Sequence, residues 1–104
     1  MRVVFTRRAR ADLDDRIAYS VENFGTVITN RTFIRLDRYL SDVLARHPNI
    51  GRRHAHLDVL ETWVPRTPFV VIYRVKPEEE ELTILAVYHH AQDRSRFTFS
   101  PADH

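Results

Sequence analysis

Residues 66–75 read RTPFVVIYRV and residues 82–93 read LTILAVYHHAQD. Both runs are rich in β-branched and aromatic residues, which pack well on a pleated surface and favour strands. A proline and four consecutive glutamates stand between the runs, a composition typical of a charged turn. Pro68 lies near the start of the first run, where its missing amide donor costs little. The stretch therefore predicts a β-hairpin whose second strand ends at the polar pair His89 and His90.

Ahead of the hairpin, residues 2–5 predict a short strand, and two apolar stripes at helical spacing follow it. The first stripe ends at Gly25, which predicts the end of a helix. The second helix is expected from about Thr26 to Arg46, and Pro48 stops it because a residue that precedes proline avoids helical geometry. A further strand is expected over 59–64. The stripes contain Ala9, Leu13, Ile17, Val21 and Phe24 in the first helix and Phe33, Leu36, Leu40, Val43 and Leu44 in the second.

The predicted order is strand, helix, helix, strand, strand, strand, which is typical of an α+β domain. We expect a small, mostly antiparallel sheet that includes the N-terminal strand, with an antiparallel helical hairpin packed on one face. The stripe residues Leu13, Ile17, Leu36 and Leu40 should then be buried between the helices and the sheet. At 104 residues, the chain is expected to form a single domain over residues 1–104.

Two finer expectations concern the faces of these elements. The first run of the hairpin is apolar on both faces, so we place it in the middle of the sheet. Arg8, Asp12 and Arg16 lie opposite the first helical stripe with alternating charge, which is typical of a solvated helix face.

The composition favours an ordinary globular protein and excludes several kinds of site. The hydrophobic fraction is 43%, and the lack of cysteine excludes disulfides and thiolate metal sites. No apolar run approaches the roughly 20 residues that a membrane span needs, and the N-terminal residues lack the apolar region of a signal peptide. We therefore expect a cytoplasmic protein without a membrane partner. Among lysine and arginine, every residue except Lys76 is arginine, which reflects either codon usage or a surface that grips an acidic partner.

The hairpin, the first strand leading into Ala9 and Leu13, the helices that end at Pro48 and the Gly51-Arg52 pair together resemble the ParE/RelE superfamily of bacterial toxins. The resemblance covers nearly the whole chain. It implies the toxin of a type II toxin–antitoxin system, held inactive in a hetero-oligomer by a cognate antitoxin. Such pairs are often encoded side by side for plasmid or genomic maintenance.

The superfamily has two functional branches, and the residues favour one of them. RelE-like members cut messenger RNA on the ribosome with cationic residues on the open sheet face, which stabilise charge on the phosphate. Here Glu61, Trp63 and Val70 occupy positions where that branch is basic, and Phe97 and Phe99 stand where a tyrosine is expected. The chain is therefore more similar to the ParE branch, which poisons DNA gyrase by protein contact and needs neither a catalytic site nor a cofactor.

The nuclease alternative stays open because of the histidines. His89, His90 and Arg74 are its candidate catalytic residues, since imidazole titrates near neutral pH. Against it, neighbouring residues of a strand point to opposite faces, so the two histidines would not easily reach one phosphate. A third alternative is a toxin-derived binding protein that has lost its activity.

Binding residues are assigned on the same resemblance. Target contacts are expected at the polar end of the sheet, and antitoxin contacts on the outward face of the second helix. His54 and His56 lie two apart in a basic loop, but without an evident third ligand we expect solvated histidines and no metal site. The candidate residues are Arg66, Arg74, His90 and Arg94 for the target and Arg31, Arg35 and Arg38 for the antitoxin.

Overall fold

The computed structural model describes residues 1–54, 58–92, 94 and 97. Within them, a long helix and a mixed sheet make an α+β fold, as predicted. A short 3-10 turn, Pro77–Glu79, joins the last two strands. The elements are β1 (Arg2–Phe5), α1 (Arg7–Arg38) with a π-helical continuation (Tyr39–Leu44), β2 (Arg52–Arg53), β3 (Leu60–Trp63), β4 (Phe69–Lys76) and β5 (Glu81–His89).

The strands form one sheet in the order β1-β5-β4-β3-β2 across the described residues. Only β1 and β5 run parallel among these pairs, so the sheet is mostly antiparallel and includes the N-terminal strand. The hairpin of β4 and β5 is confirmed, with Phe69 opposite His89 and Lys76 opposite Glu81 at its two ends. The two-residue strand β2 was missed, because Arg52 and Arg53 lie in a stretch that reads as a basic loop.

The helix α1 runs across the break that Gly25 predicts, so a hairpin of two separate helices is not confirmed. The backbone at Gly25 is nevertheless non-helical, with φ 82° and ψ 174°. The hydroxyl oxygens of Ser20 and Thr29 lie 2.7 Å apart, although nine residues of a straight helix span about 13 Å. Thr29 donates its single hydroxyl hydrogen to the Gly25 carbonyl, so Ser20 donates to Thr29. Residues 7–38 therefore form one helix, which is sharply bent at Gly25.

The two arms of the bent helix, 7–24 and 26–38, bury their stripes against one face of the sheet. Leu13, Leu36 and Leu40 are buried there, as predicted, and Ile17 is partly buried. The end of the first stripe differs, since Val21 and Phe24 are exposed. Their spacing is helical, but they lie next to the bend, beyond the part of the helix that packs on the sheet. None of the helices in the described part of the chain is long and apolar enough to cross a membrane.

The start of α1 packs along the edge of β5. The sequence had predicted that the helix face of Arg8, Asp12 and Arg16 is solvated. β1 pairs with β5 only as far as Phe5 opposite Ile84. Beyond that point Asp12 Oδ2 accepts a hydrogen bond from the Val87 amide at 3.0 Å, and Arg8 Nη2 donates to the Tyr88 hydroxyl at 2.6 Å. Burial raises the pKa of Asp12, although the Val87 amide and Arg8 act in the opposite direction. Side chains of the helix thus take over the role of a neighbouring strand.

Glu81 joins β1 to the hairpin. Its carboxylate accepts hydrogen bonds from Arg2 Nη2 and from the Thr83 hydroxyl, both at 2.8 Å, and lies 3.5 Å from Lys76 Nζ. The Thr83 hydrogen bond and then that of Arg2 lower the pKa of Glu81 below its ordinary value. The ionised carboxylate therefore holds three segments of chain together at this end of the sheet.

We predict that Gly25→Ala destabilises the fold by about 1–3 kcal/mol, because alanine is strained at positive φ. A Cβ at this position meets no atom within 4 Å, so the cost comes from the backbone and not from a clash. Urea unfolding measures the change. The matched control is Asn30→Ala at an exposed position of the same helix, which should cost less than about 0.5 kcal/mol. Equal stability of the two variants would contradict the bend.

We also predict a pH-dependent cost for Glu81→Gln. Because the folded-state pKa of Glu81 is lowered, its contribution is complete above the ordinary pKa and is lost as the pH falls through the lowered value. The substitution should cost about 1–3 kcal/mol at pH 7 and clearly less at pH 3, as measured by urea unfolding at both values. Glu79→Gln in the exposed turn is the control, with less than about 0.5 kcal/mol at either pH. A cost that does not change with pH would refute this role for Glu81.

Candidate functional site

A stack of three rings lies at the end of the sheet where β3 and β5 finish and β4 begins. The rings of Trp63 and His90 are stacked with centroids 5.2 Å apart and planes 15° apart. His90 is in turn stacked on His89, at 4.6 Å and 27°. The His90 amide donates to the Pro68 carbonyl at 2.8 Å, which extends the pairing of β4 and β5 by one step. The backbone thus fixes where this stack stands.

The turn over 64–68 holds the indole of Trp63 in one orientation. Its Nε1 donates to the Thr67 carbonyl at 2.8 Å, while the residue as a whole remains 58% exposed. The Thr67 hydroxyl donates to the Val64 carbonyl and accepts from the Phe69 amide. Arg66 adopts a left-handed conformation, φ 60°, and its carbonyl accepts from Arg35 Nη1 at 3.3 Å. The turn that holds the exposed Trp63 is therefore itself fixed by hydrogen bonds within it and by the one from Arg35.

Three of the four predicted target-binding residues come together here. Arg66 and His90 line a shallow concavity with Trp63, Pro65, Thr67 and Pro68. Arg94 Nη1 donates to the His90 carbonyl at 3.1 Å. Arg74 does not join them: it faces Thr83 near the other end of β4, in a cleft that Met1 and Pro77 also line. Its expected place beside His90 is wrong, because five residues of strand, about 16 Å, separate it from Phe69.

From the sequence, Trp63 was considered only because it occupies a position where the nuclease branch is basic, and it was not included in the site. Two signals were available: it is the single tryptophan of the chain, and it ends a strand directly before a turn with two prolines. A tryptophan in that place has few neighbours to bury it.

The histidine pair differs from expectation in its geometry. His90 follows the end of β5, so the alternation of strand faces does not separate the two rings. His89 Nδ1 accepts from the Ala91 amide at 3.2 Å, which leaves the proton of the neutral ring on Nε2. Burial, followed by the charges of His90 and Arg16, lowers the pKa of His89. The pair is in contact, but Arg74, the cation assigned to it, lies at the opposite end of the strand.

Glu61 is buried on β3 between two arginines. Its Oε1 accepts from Arg52 Nη2 at 2.9 Å, and its Oε2 lies 3.5 Å from Arg94 Nε. The three groups carry a net charge of +1, because one carboxylate offsets one of the two guanidinium groups. The arginines beside the sheet face are therefore engaged within the protein.

Phe97 covers the sheet face opposite the helix. It is buried against Val59, Ile72, Leu85 and Ala86, and the Arg8 guanidinium lies 4.9 Å from its ring centroid. His54 is also buried, contrary to the expected solvated loop histidine. Its Nε2 lies 3.0 Å from the Arg94 carbonyl, and its ring meets Phe97 edge-on. His56 and Phe99, named in the sequence analysis, lie outside the described residues.

An apolar groove lies between the bend of α1 and the start of β4, and we call it the bend groove. Its volume is about 340 Å³. Tyr19 and Phe24, 55% and 57% exposed, stand on its helical side, while Phe69 and His89 come from the sheet. The remaining lining residues are Arg16, Ser20, Ile28, Thr32 and Pro68.

The predicted antitoxin-binding arginines lie on the second arm of the helix. Arg31, Arg35 and Arg38 are all exposed, and their spacing of four and three residues places them on one helix face. Arg35 also supports the turn of Trp63 through the Arg66 carbonyl. Their role in binding stays a prediction.

Comparison with known proteins identifies the family. The sequence pattern described as ParE toxin of type II toxin-antitoxin system, parDE, matches residues 3–94. A comparison with curated proteins gave no match. Among solved structures, the protein described as "Chromosomal ParDE TA system from P. aeruginosa" is similar, with a TM-score of 0.67 and 26% identity. The similarity covers 86% of this chain and 95% of that one.

The family match spans both the bent helix and the sheet, and the structural likeness agrees with it. The chain belongs to the ParE toxin family of type II toxin–antitoxin systems.

Proposed function

We propose that this toxin arrests growth in the cytoplasm by inhibiting DNA gyrase through protein contact, and that a cognate antitoxin neutralises it in a hetero-oligomer. The observation that carries the choice of mechanism is the sheet face opposite the helix. Phe97 covers that face, and Glu61 engages Arg52 and Arg94 beside it. Gyrase as the target rests on membership of the ParE family and its expected activity.

Cleavage of RNA needs groups that the described residues of this face do not offer. The transition state places extra negative charge on the phosphate, and enzymes stabilise it with cations or hydrogen-bond donors aimed at that charge. At the described surface of β3 and β4, Glu61 is a carboxylate and Val70 is buried and apolar. A carboxylate beside the path of a phosphate would repel the substrate.

A histidine-based nuclease remains the second candidate, because the rings of His89 and His90 are stacked with their centroids 4.6 Å apart. Two imidazoles could act as acid and base in the displacement. The arrangement still requires a cation for the phosphate. Arg74, the residue assigned to that role, belongs to the other end of β4, although Arg66 lies beside His90.

The bend groove is the surface that we assign to the antitoxin. An amphipathic helix could place its apolar side chains in the groove, a common mode of peptide recognition. Arg31 and Arg38 stand exposed on the second arm, where acidic residues of the same segment could pair with them. A segment that folds as it binds would cover a large area of this kind.

Induction of the toxin alone is expected to arrest growth, leave transcripts intact and switch on the DNA-damage response. The purified chain should inhibit supercoiling by gyrase. Cleaved transcripts, together with loss of arrest in both His89→Ala and His90→Ala, would support the nuclease instead. Arrest with neither cleaved transcripts nor inhibited gyrase would reject both mechanisms.

For the antitoxin, Phe24→Ala should weaken binding of the C-terminal segment of the neighbouring gene product by about 10- to 100-fold, as truncating a well-packed anchor does. Because Phe24 is mostly exposed in the free toxin, the fold should keep its stability. Calorimetric titration measures the affinity. Ile50→Ala, also exposed but outside both the groove and the second arm, is the control and should change the affinity by less than about threefold. Unchanged binding to Phe24→Ala would move the antitoxin away from the bend groove.

A further inference from the structure

The exposed indole of Trp63 has a place in the structure that the stability of the fold does not explain. A tryptophan is among the largest apolar side chains, and burying it is its usual contribution to a core. Here the residue is 58% exposed at the end of an edge segment of the sheet. Two contacts nevertheless fix its ring: the hydrogen bond from Nε1 to the Thr67 carbonyl and the stack with His90.

This arrangement prepares the indole for binding. A side chain already held in one rotamer loses little conformational freedom when a partner covers it. Tryptophan and arginine are the residues most often found at the energetic centre of protein interfaces. Both occur here, since Arg66 lines the concavity together with Trp63. The turn that carries Arg66 also holds the indole through the Thr67 carbonyl. The Arg66 carbonyl in turn accepts a hydrogen bond from Arg35.

The charge around the indole indicates the chemistry of the partner. Arg66 adds a positive charge to the concavity, and the group of Arg52, Glu61 and Arg94 beside it has a net charge of +1. Pro65 and Pro68 supply the apolar part of the rim. A complementary partner would present an apolar slot for the indole with carboxylates on its edge.

A nucleic acid fits this surface less well. Strand-binding proteins follow the phosphates with a groove of cations and stack successive bases on several aromatic rings. Here one face of Trp63 is already stacked on His90, which leaves its other face for a base. Proline residues, which carry no charge, occupy the rim.

We propose that Trp63, Arg66 and His90, with the rim of Pro65 and Pro68, form the surface through which this toxin contacts an acidic, apolar-slotted face of its protein target. We call it the Trp63 surface. The proposal rests on the proposed function, because it assumes a toxin that acts by protein contact. It adds Trp63 as the anchor and removes Arg74 from the contact.

The first test substitutes the anchor and its charged neighbour. Trp63→Ala should abolish growth arrest and weaken gyrase binding by about 30-fold or more, the effect of a central interface residue. Trp63→Phe, which keeps an aromatic ring, should retain part of the activity. Arg66→Glu should lose more activity than Arg66→Gln, because an acidic partner repels a carboxylate. Ile34→Ala is the matched exposed control and should arrest growth like the parent.

Two measurements keep a folding defect apart from a lost contact. Each variant should bind the antitoxin segment within about threefold of the parent, since Trp63 lies outside the bend groove. The second measurement needs no substitution: Trp63 is the single tryptophan, so 5-fluorotryptophan labelling gives one fluorine resonance. Addition of purified gyrase should shift or broaden that resonance, while a single-stranded RNA oligonucleotide should not.

The outcomes separate this proposal from the proposed function. If folded Trp63→Ala still arrests growth and inhibits gyrase, the Trp63 surface is wrong and the gyrase mechanism stands. If Trp63→Ala loses arrest but gyrase neither shifts the resonance nor is inhibited by the parent, the surface stands and gyrase is the wrong target. A shift with RNA and cleaved transcripts would overturn both, as would a parent chain that causes no arrest.

Discussion

The register of β5 against β4 changes once, and the position of the site follows from that change. Ile72 pairs with Ala86 and Tyr73 with Ile84, so Leu85 is an extra residue in β5. Such a bulge places two successive side chains on one face of the sheet. Leu85 and Ala86 therefore both pack in the cluster around Phe97, and the residues after them exchange faces. If β5 alternated regularly from Ile84 onward with no bulge, His89 would lie on the face away from the helix and could not line the bend groove.

The same end of the sheet connects the bend groove to the Trp63 surface. His89 lines the groove and stacks on His90, and His90 stacks on Trp63. Pro68 lines both concavities and accepts the hydrogen bond of the His90 amide. Arg35 reaches from the helix to the turn of Trp63. The two surfaces are thus separated by a single layer of residues, and their geometry depends on the first residues of β4.

Local sequence patterns predicted the elements well, because each depends on neighbours in the chain. Alternation over 69–75 predicted a central strand with two apolar faces, and helical spacing predicted burial of Leu36 and Leu40. The predictions that were wrong concern residues whose surroundings depend on contacts between distant segments. Arg8 and Asp12 have the charge pattern of a solvated face, but the short β1 leaves an edge of β5 for them to cover. His54 is buried by Phe97, which no pattern around His54 could have indicated.

The site was predicted in part for the same reason. Arg66, His90 and Arg94 do lie near one another, because each stands just outside a strand at the same end of the sheet; their role in target binding stays a prediction. Arg74 was placed with them because it lies on the strand next to the final one, but its position in that strand puts it at the opposite end of the sheet. The bend groove was not predicted from the sequence. Phe24 was assigned to the buried stripe by its helical spacing, and Tyr19 was left out. Helical spacing does not tell where a helix leaves the sheet.

Gly25 explains why a toxin of this size carries an apolar surface at all. Its positive φ turns the helix back on itself, and the side chains on both sides of the bend, Phe24 and Ile28 among them, are left without a sheet to cover them. Exposed apolar groups of this size contribute little to the free energy of unfolding and favour association. The bend therefore leaves apolar groups exposed in the isolated chain, which is the arrangement expected for a protein that a partner covers.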